Sequence, residues 1–253
     1  MRAQDYAYLY ELEENFWWFV GMREISQRLL DQVCAKGTRR RALDAGCGTG
    51  AMLSWLSQYT GGGCVVGTDL SQTALEFCRA RDQRELTQGS IAELPFADST
   101  FDLVTSFDVF QHVLDKGDVR AIAEIYRVLR PGGCAFVRVS AYEWLRSGHD
   151  EALAVQRRYT LSELSDEMRR AGFSIRRATY ANTLLLPVAA IKRLVLSRFG
   201  SANAESEVKP WPKNLQWLNG LLSLPLKLEA EVLRKMDLPF GVSAICIGEK
   251  SAP

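Results

Sequence analysis

The sequence predicts an α/β fold, a doubly wound, mostly parallel, seven-stranded sheet with helices on both faces. Short apolar segments alternate with helical segments from about residue 41 to residue 180, which is typical of a parallel sheet with crossover helices. A glycine-rich turn at 46–50 follows the first of these strands, at the edge where such sheets bind ligands. Of the 253 residues, 47% are apolar and 24% are charged, which indicates a globular chain rather than a disordered one.

The first four strands are short apolar segments that end at polar or glycine residues. They are expected at 41–45, at 64–68, at 86–88 and within 101–110. The helix after the first strand would cover 51–59, and the three glycines at 61–63 would end it. The next helix would begin after Ser71, a residue type that caps helix N-termini, and would run to about Arg81.

The fifth strand is expected at 134–140, after a helix whose N-terminus Asp118 can cap. The apolar face of this helix would hold Val119, Ile122, Ile125 and Leu129. Pro131-Gly132-Gly133 would end the helix, because proline and glycine are poor helix formers.

One more helix and two strands complete the predicted sheet. Thr160 and Glu163 have the spacing of a capping box, and Gly172 is expected to end the helix in the left-handed conformation. Residues 173–180 alternate like a partly exposed strand, and residues 241–249 form the last strand.

Four segments are expected along the chain. Residues 1–40 would form an N-terminal aromatic helical segment that acts as a lid, and seven of the 25 aromatic residues lie within 6–19. Residues 41–181 would form the core, 182–240 a helical insert, and 241–253 the last core strand with a tail.

The insert is too long for a hairpin loop and is therefore expected to be structured. It is rich in leucine and carries eight basic against five acidic residues, a net charge of +3. Three interpretations stay open: a cap over an acceptor pocket, a dimer surface, and a peripheral membrane contact.

Charge, hydropathy and cysteine content exclude several classes of protein. The 31 basic and 30 acidic residues argue against a chain held on nucleic acid by electrostatics alone. The longest strongly apolar run, 184–191, is far below the about 20 residues of a membrane span, and the acidic residues within 1–20 do not fit a signal peptide. Six cysteines without a Cys-x-x-Cys pair, and only two histidines, predict no metal site and a reduced, cytoplasmic protein.

The glycine turn carries the strongest functional signal, because glycines let the backbone approach a ligand closely. Asp44 lies two residues before Gly46, where a carboxylate would disfavour a pyrophosphate and attract an ammonium group. Asp69, at the end of the second strand, could accept hydrogen bonds from both hydroxyls of a ribose. The alternative for both residues is a structural role in capping the helix that follows.

These residues resemble class I, Rossmann-like, S-adenosylmethionine (SAM)-dependent methyltransferases, of the branch similar to ubiquinone and menaquinone biosynthesis enzymes. The matching segments are ALDAGCGTG (42–50), VVGTDLS (65–71), GSIAELPFADSTFDLVTSFDVFQHV (89–113) and EIYRVLRPGG (124–133). With the flanking strands, the resemblance covers about residues 40–180. The segment ENFWWFVGMREI (14–25) also resembles one that precedes the core in many such enzymes.

The resemblance implies where SAM would bind. Gly46 and Gly48 would approach the methionine end, Asp69 would hold the ribose, and Leu70 would pack against the adenine. The expected product is S-adenosylhomocysteine, and no metal is expected.

The resemblance also assigns residues after the third and fourth strands. Ser90 and Ile91 would lie beside the adenine ring, and Phe107 would lie under the sulfonium. The chain departs from its relatives at two places, because many of them have an acid in place of Ser90 and Glu-His in place of Gln111-His112.

Methyl transfer needs in-line positioning of two reactants, and a hydroxyl or protonated amine acceptor also needs a base. His112 and His149 are the candidate bases, and a structural hydrogen bond is the alternative role for each. Trp18, with Trp17, could offer an aromatic face to the sulfonium, and Arg23 could meet the SAM carboxylate. The alternative for the tryptophan pair is burial of a helix against the sheet.

The predicted function is transfer of a methyl group from SAM to a small or amphiphilic, lipid-like acceptor, with oxygen as the favoured atom. Two alternatives are a SAM-binding partner or sensor without catalysis and a nicotinamide-dependent oxidoreductase. Nucleic acid is not an expected partner, no transmembrane segment is expected, and the protein would be a monomer or a homodimer.

Overall fold

The computed structural model describes residues 3–113, 117–199 and 216–251, and within them seven strands form one sheet. The strands are β1 (Arg41–Ala45), β2 (Cys64–Asp69), β3 (Leu86–Gln88), β4 (Phe101–Phe107), β5 (Leu129–Ser140), β6 (Phe173–Ala181) and β7 (Ser243–Lys250). Their order is β3-β2-β1-β4-β5-β7-β6. The pairs among β1 to β5 are parallel, and β7 is antiparallel to both β5 and β6. The predicted sheet is therefore confirmed.

Helices cover both faces of the sheet, as predicted. The helices are α1 (Ala3–Leu12), α2 (Trp17–Leu30), α3 (Ala51–Leu56), α4 (Gln72–Ala80), α5 (Gly117–Val128), α6 (Gly148–Ala152), α7 (Leu161–Arg170), α8 (Leu186–Phe199) and α9 (Leu218–Leu233). Neighbouring residues of β1 point to opposite faces: Leu43 packs in one core with α5 and α7, and Ala42 packs in a second core with α2 and α9.

The predicted helix ends are confirmed at α4 and α7. The Ser71 hydroxyl accepts a hydrogen bond from the amide of Ala74, 3.4 Å away. At α7, Thr160 and Glu163 form both hydrogen bonds of the capping box, and Gly172, with φ of +105°, follows the helix.

The prediction around Asp118 is wrong in its details. Asp118 lies inside the first turn of α5, where its buried carboxylate accepts hydrogen bonds from Arg157 at 2.7 Å and from the Tyr159 hydroxyl at 2.8 Å. Val119 is half-exposed, and Leu129 is the first residue of β5 rather than part of the helix. Arg157 and Tyr159 lie 39 and 41 positions away in the sequence, so the local sequence around Asp118 does not encode these contacts.

The N-terminal segment and the insert pack on each other and on the sheet. One buried core contains Met22, Ile25, Leu29, Leu226, Ala230 and Leu233. Helix α2 is therefore part of the folded core, and the role of residues 1–40 as a lid stays a prediction. The insert is helical as predicted, with α8 and α9 in its described parts.

Close packing of α2 against α9 gives a testable prediction. A Cβ added at Gly21 would lie 2.3 Å from Leu226 Cδ1 and 2.5 Å from Leu226 Cβ. We expect Gly21→Ala to lower the free energy of unfolding by about 1–3 kcal/mol, because the two helices would have to separate. Chemical denaturation measures the change.

Gly220→Ala is the matched control, since a Cβ at Gly220 in α9 meets no atom within 4 Å. Alanine should stabilise this helix position slightly. Equal stability of the two variants would contradict the packing argument.

Candidate functional site

The candidate site lies at the carboxyl ends of β1, β2 and β4, around the glycine turn. The amides of Gly46 and Cys47 donate to the carbonyl oxygen of Thr68 at 2.8 and 2.9 Å, which holds the turn against the end of β2. Gly46 has a φ of +84°, and a Cβ there would lie 2.4 Å from Val109 Cγ2. This position therefore requires glycine both for its backbone conformation and for the close approach of the segment after β4.

Asp69 ends β2 and connects the turn to the next helix. One carboxylate oxygen accepts from the Gly48 amide at 2.9 Å, and the other accepts from the Ser71 amide at 2.8 Å. Burial raises the pKa of Asp69, and these two hydrogen bonds oppose the shift. The side chain of Leu70, next in the chain, is 70% exposed, so it is open to a planar ligand such as adenine.

Asp44 is buried beneath the turn, with 2% of the residue exposed. Its carboxylate accepts a hydrogen bond of 2.7 Å from the Thr105 hydroxyl on β4, directly across the β1–β4 pair. Burial raises the pKa of Asp44 to about 7, the Thr105 hydrogen bond opposes this, and the nearby Glu13 adds to it. A carboxyl group poised in this way favours a cationic ligand.

Glu13 is a further carboxyl group at the turn, with 13% of its side chain exposed, which sequence reasoning did not identify. It follows α1, accepts a hydrogen bond from the Thr49 hydroxyl, and lies 3.6 Å from the Arg81 guanidinium. Burial raises the pKa of Glu13 to about 7, against the opposing effects of Thr49 and Arg81. Leu9 of α1 also lies against the turn, 3.8 Å from where a Cβ of Gly48 would stand.

Acidic groups dominate the electrostatics of the turn. Asp44, Asp69 and Glu13 surround it, and the charges of Glu13 and Asp69 both raise the pKa of the Asp44 carboxyl group. Arginines oppose these charges: Arg138 is paired with Asp108 at 2.6 Å, and Arg81 lies 3.6 Å from Glu13 and donates to the carbonyl oxygen of Thr49 in the turn at 3.0 Å. The site is thus suited to a positively charged group and unsuited to a phosphate, so the residues present fit SAM.

The predicted aromatic residues lie around this buried ion pair. The rings of Trp18 and Phe107 lie 5.4 and 5.0 Å from the Arg138 guanidinium. Their faces therefore contact a protein cation in this structure, whereas sequence reasoning assigned them to a sulfonium. Trp17 packs against the core beneath α2, which agrees with the alternative of burial.

The remaining predicted cofactor residues lie around the same edge of the sheet. The Ser90 hydroxyl accepts from the Ala92 amide at 3.2 Å, and Ile91 is buried beside it. Arg23 lies toward α1, where its guanidinium donates to the Glu14 carbonyl oxygen at 3.0 Å. It borders a cavity of about 510 Å³ next to α3, the helix that follows the turn.

His112 lies in a short 3-10 turn, Phe110–His112, directly after β4. Its Nδ1 is 3.4 Å from the carbonyl oxygen of Ala154, and a carbonyl oxygen only accepts, so this contact needs a proton on Nδ1 and leaves a lone pair on Nε2. Burial lowers the pKa of His112, which favours the neutral imidazole. Asp69 and Asp108 are near enough for their charges to interact with it.

His149 lies in α6, and its side chain is outside the described part of the structure. Its predicted role therefore stays a prediction. Within residues 3–113, 117–199 and 216–251, no cluster of three or more His, Cys, Asp or Glu side chains could hold a metal ion. In the same ranges, the helices are too short or too polar to cross a bilayer.

Comparison with known proteins finds similarity to methyltransferases, and SAM, the cofactor named for several of them, fits the residues of the site. Residues 43–137 match the family of methyltransferase domains. A protein of Mycolicibacterium smegmatis named "Probable S-adenosylmethionine-dependent methyltransferase" is 32% identical over 166 residues, which are 64% of this chain and 61% of that protein. A fatty-acid O-methyltransferase of the same species is 35% identical over 122 residues, 45% of this chain and 44% of that enzyme.

Solved structures share the fold. The structure of a complex between the Haloferax volcanii Trm112 methyltransferase activator and a protein described as a methyltransferase contains a similar chain. It superimposes with a TM-score of 0.62 at 20% identity, over 96% of this chain and 93% of that one. Phosphoethanolamine N-methyltransferase 2 of Haemonchus contortus, in complex with SAM, gives a TM-score of 0.56 at 20% identity, over 90% of this chain and 53% of that one.

The chain therefore has the fold of class I methyltransferases, and residues 43–137 are similar to the family of methyltransferase domains. The sequence similarity to a relative named as a SAM-dependent methyltransferase covers 64% of the chain. The branch of ubiquinone and menaquinone enzymes stays a prediction. The chain spans 61% and 44% of the lengths of the two curated relatives.

Two carboxyl groups at the turn predict that SAM binding depends on pH. Asp44 and Glu13 have pKa values raised to about 7, so both are largely protonated at pH 5.5 and about half ionised at pH 7. Their protonated forms stabilise the unliganded protein at low pH, and this contribution is lost as the pH rises from the ordinary range of a carboxyl pKa to about 7; a bound cation should restore it. We expect SAM to bind about three- to tenfold more tightly at pH 7 than at pH 5.5, measured by calorimetry.

Asp44→Asn removes one of the two titrating groups, so the pH dependence of SAM affinity should become shallower. Asp166→Asn, on the exposed surface of α7, is the control and should leave it unchanged. An affinity for SAM that is constant from pH 5.5 to 7 in the unmodified protein would contradict the assignment of these carboxyl groups to the cofactor site.

Proposed function

We propose that the protein transfers a methyl group from SAM to an oxygen atom of a small or amphiphilic acceptor and releases S-adenosylhomocysteine. The observation that carries the proposal is the set of three acidic side chains around the glycine turn, Asp44, Asp69 and Glu13, at the strand ends where doubly wound sheets receive the phosphates of dinucleotides. A dinucleotide would bring two phosphates to these carboxylates, whereas SAM brings an ammonium group and a sulfonium.

The proposed roles of the cofactor residues follow from their positions. Asp44 and Glu13 would face the ammonium group, and the Asp69 carboxylate would exchange its backbone partners for the ribose hydroxyls. Leu70 would cover one face of the adenine, with Ser90 and Ile91 beside the ring. When bound, SAM supplies an activated methyl group on a sulfonium.

Arg23, Phe107 and Trp18 would complete the pocket. Arg23 is the proposed partner of the SAM carboxylate, because its guanidinium lies on the α1 side of the turn, close to Glu13 and Glu14. Phe107 and Trp18 would exclude water beneath the reacting centre, and they hold the Arg138–Asp108 pair in place. Because Asp108 neutralises Arg138, the guanidinium would repel a nearby sulfonium less strongly.

His112 is the proposed base. Its Nδ1 contact with the Ala154 carbonyl oxygen leaves Nε2 able to accept a proton, and its lowered pKa keeps the ring neutral near pH 7. An acceptor hydroxyl that donates to Nε2 would lose its proton to the ring as the oxygen attacks the methyl carbon in line with the departing sulfur. His149 is retained as a second candidate, since α6 follows β5 at the same edge of the sheet.

An oxygen acceptor is supported by the similarity to the fatty-acid O-methyltransferase, which covers 45% of this chain. An amphiphilic acceptor is supported by exposed apolar side chains beyond the end of β5, where Trp144 is 54% exposed, and on α8, where Val188 is 63% exposed. A cytoplasmic location and a monomeric or homodimeric state are part of the same proposal.

The experiment is a screen for S-adenosylhomocysteine formed from SAM with hydroxy acids, fatty acids, phenols, sugars and amines as acceptors. The proposal expects catalytic turnover with an oxygen acceptor. Turnover only with amines would overturn the oxygen assignment. SAM binding without turnover on any acceptor would favour a sensor or partner subunit, and reduction of a nicotinamide cofactor would favour an oxidoreductase.

A further inference from the structure

Helix α9 is apolar on two opposite faces. One face, with Leu226, Ala230 and Leu233, is buried against α2 and the sheet. The opposite face carries a row of exposed apolar side chains, here called the outer stripe: Trp217 (67% exposed), Leu221 (55%), Leu224 (48%), Leu228 (66%) and Val232 (42%). A helix that packs on one side only is normally polar on the other. We therefore expect another surface to cover the outer stripe.

Three contacts fix the rotation of α9, so the outer stripe stays turned outward. Leu226 lies against Gly21 of α2 with no room for a Cβ between them. The Asn219 side-chain oxygen accepts from the Trp17 amide at 3.2 Å. The buried Glu229 carboxylate accepts from the amides of Asn182 and Thr183 at 2.5 and 2.9 Å.

In the described part of the chain, the charged side chains around the outer stripe that form no ion pair are basic. Glu231 is neutralised by Arg28 at 2.9 Å and by Arg234 at 3.0 Å. Among the described residues, Lys227 and Lys235 are in no ion pair, and both are exposed. Lys227 precedes Leu228 directly, and Lys235 continues the line of the stripe beyond the last turn of α9, because positions seven residues apart share a helix face.

We propose that the outer stripe of α9 docks on the surface of an anionic lipid bilayer. An interfacial helix combines apolar side chains on one face, a tryptophan near the headgroups and lysines that reach acidic lipids, and the stripe has each of these. The stripe is one helix wide and about 24 Å long, which is narrow for the roughly 800 Å² per partner that a stable protein interface buries. The described helices are too short or too polar to span a bilayer, so the contact is peripheral.

The experiment is sedimentation of the full chain with vesicles of phosphatidylcholine alone and of phosphatidylcholine mixed with phosphatidylglycerol. We expect binding to the mixed vesicles, at least about tenfold weaker binding to the neutral ones, and weakening by salt. Leu228→Glu should reduce binding to the mixed vesicles at least about tenfold, because it puts a negative charge in the stripe. Lys227→Gln with Lys235→Gln should remove most of the preference for the anionic lipid.

Val119→Glu is the matched control, since Val119 is 52% exposed on α5, away from α9; it should bind vesicles like the unmodified protein. Thermal melting of each variant confirms that it is folded. Absence of vesicle binding by the intact chain would overturn the proposal, and so would equal binding of Leu228→Glu. If the protein does not bind vesicles but forms a dimer that Leu228→Glu dissociates, the outer stripe would instead be an interface with a second copy of the chain.

Vesicle binding is measured without SAM or acceptor. Its failure is therefore distinguishable from a failure of the proposed methyl transfer, which calorimetry with SAM tests on the same preparations.

Discussion

Replacing Asp69 by alanine is expected to reduce the affinity for SAM by at least about 100-fold. The carboxylate is proposed to accept hydrogen bonds from both ribose hydroxyls, and each bond to a charged group contributes about 1.5–3 kcal/mol. The change also leaves the amides of Gly48 and Ser71 without the partners they have in this structure, which loosens the turn that receives the methionine end. Isothermal titration calorimetry with SAM measures the loss.

Asp166→Ala is the control for this change, because Asp166 lies on the exposed surface of α7 in a local pair with Arg169. Surface pairs of this kind contribute little, and SAM affinity should stay the same. A circular dichroism spectrum and a melting curve show whether Asp69→Ala is folded. A folded Asp69→Ala protein that binds SAM as tightly as the unmodified protein would refute the proposed ribose contact.

Replacing His112 by alanine is expected to reduce turnover by about 10²–10⁴-fold with a hydroxyl acceptor, the usual contribution of a general base. Affinity for SAM should change little, because the imidazole is proposed to contact the acceptor rather than the cofactor. The measurement is the rate of S-adenosylhomocysteine formation, with the acceptor found by the screen. The pH dependence of kcat that arises from the ring should disappear in the variant.

His112→Gln separates a base from a positioning residue. Glutamine can still donate a hydrogen bond to the Ala154 carbonyl oxygen, which His112 contacts at 3.4 Å, but it has no group that takes up a proton near pH 7. A role as base predicts that His112→Gln is as slow as His112→Ala. Restored turnover in His112→Gln would assign His112 to positioning, and full turnover in both variants would remove it from the mechanism.

The parts of the site that local patterns encode could be predicted from the sequence. Asp44 lies at the end of one apolar strand, which Gly46 and Gly48 follow, and Asp69 ends the next strand; parallel strands bring their carboxyl ends to one edge. Thr105 lies opposite Asp44 in the β1–β4 pair, so the strand register would have revealed the donor to that carboxylate.

The parts that depend on long-range packing could not be predicted. Glu13 reaches Thr49 across 36 positions of sequence, and its burial depends on how α1 lies on the turn. The Arg138–Asp108 pair joins β5 to the segment after β4, and Trp18 meets it only because α2 packs on the sheet beside α9. The rotation of α9, which exposes Leu228, likewise depends on Gly21 and on the buried Glu229.

The central claim is that the glycine turn binds a cationic, phosphate-free nucleoside. Calorimetry of the purified protein, freed of small molecules, with SAM, S-adenosylhomocysteine and NAD⁺ tests it most directly. The account predicts saturable binding of SAM and of S-adenosylhomocysteine, which share the ammonium group and the ribose, and no binding of NAD⁺. Binding of NAD⁺ in place of SAM, or no binding of either adenosyl compound, would contradict it.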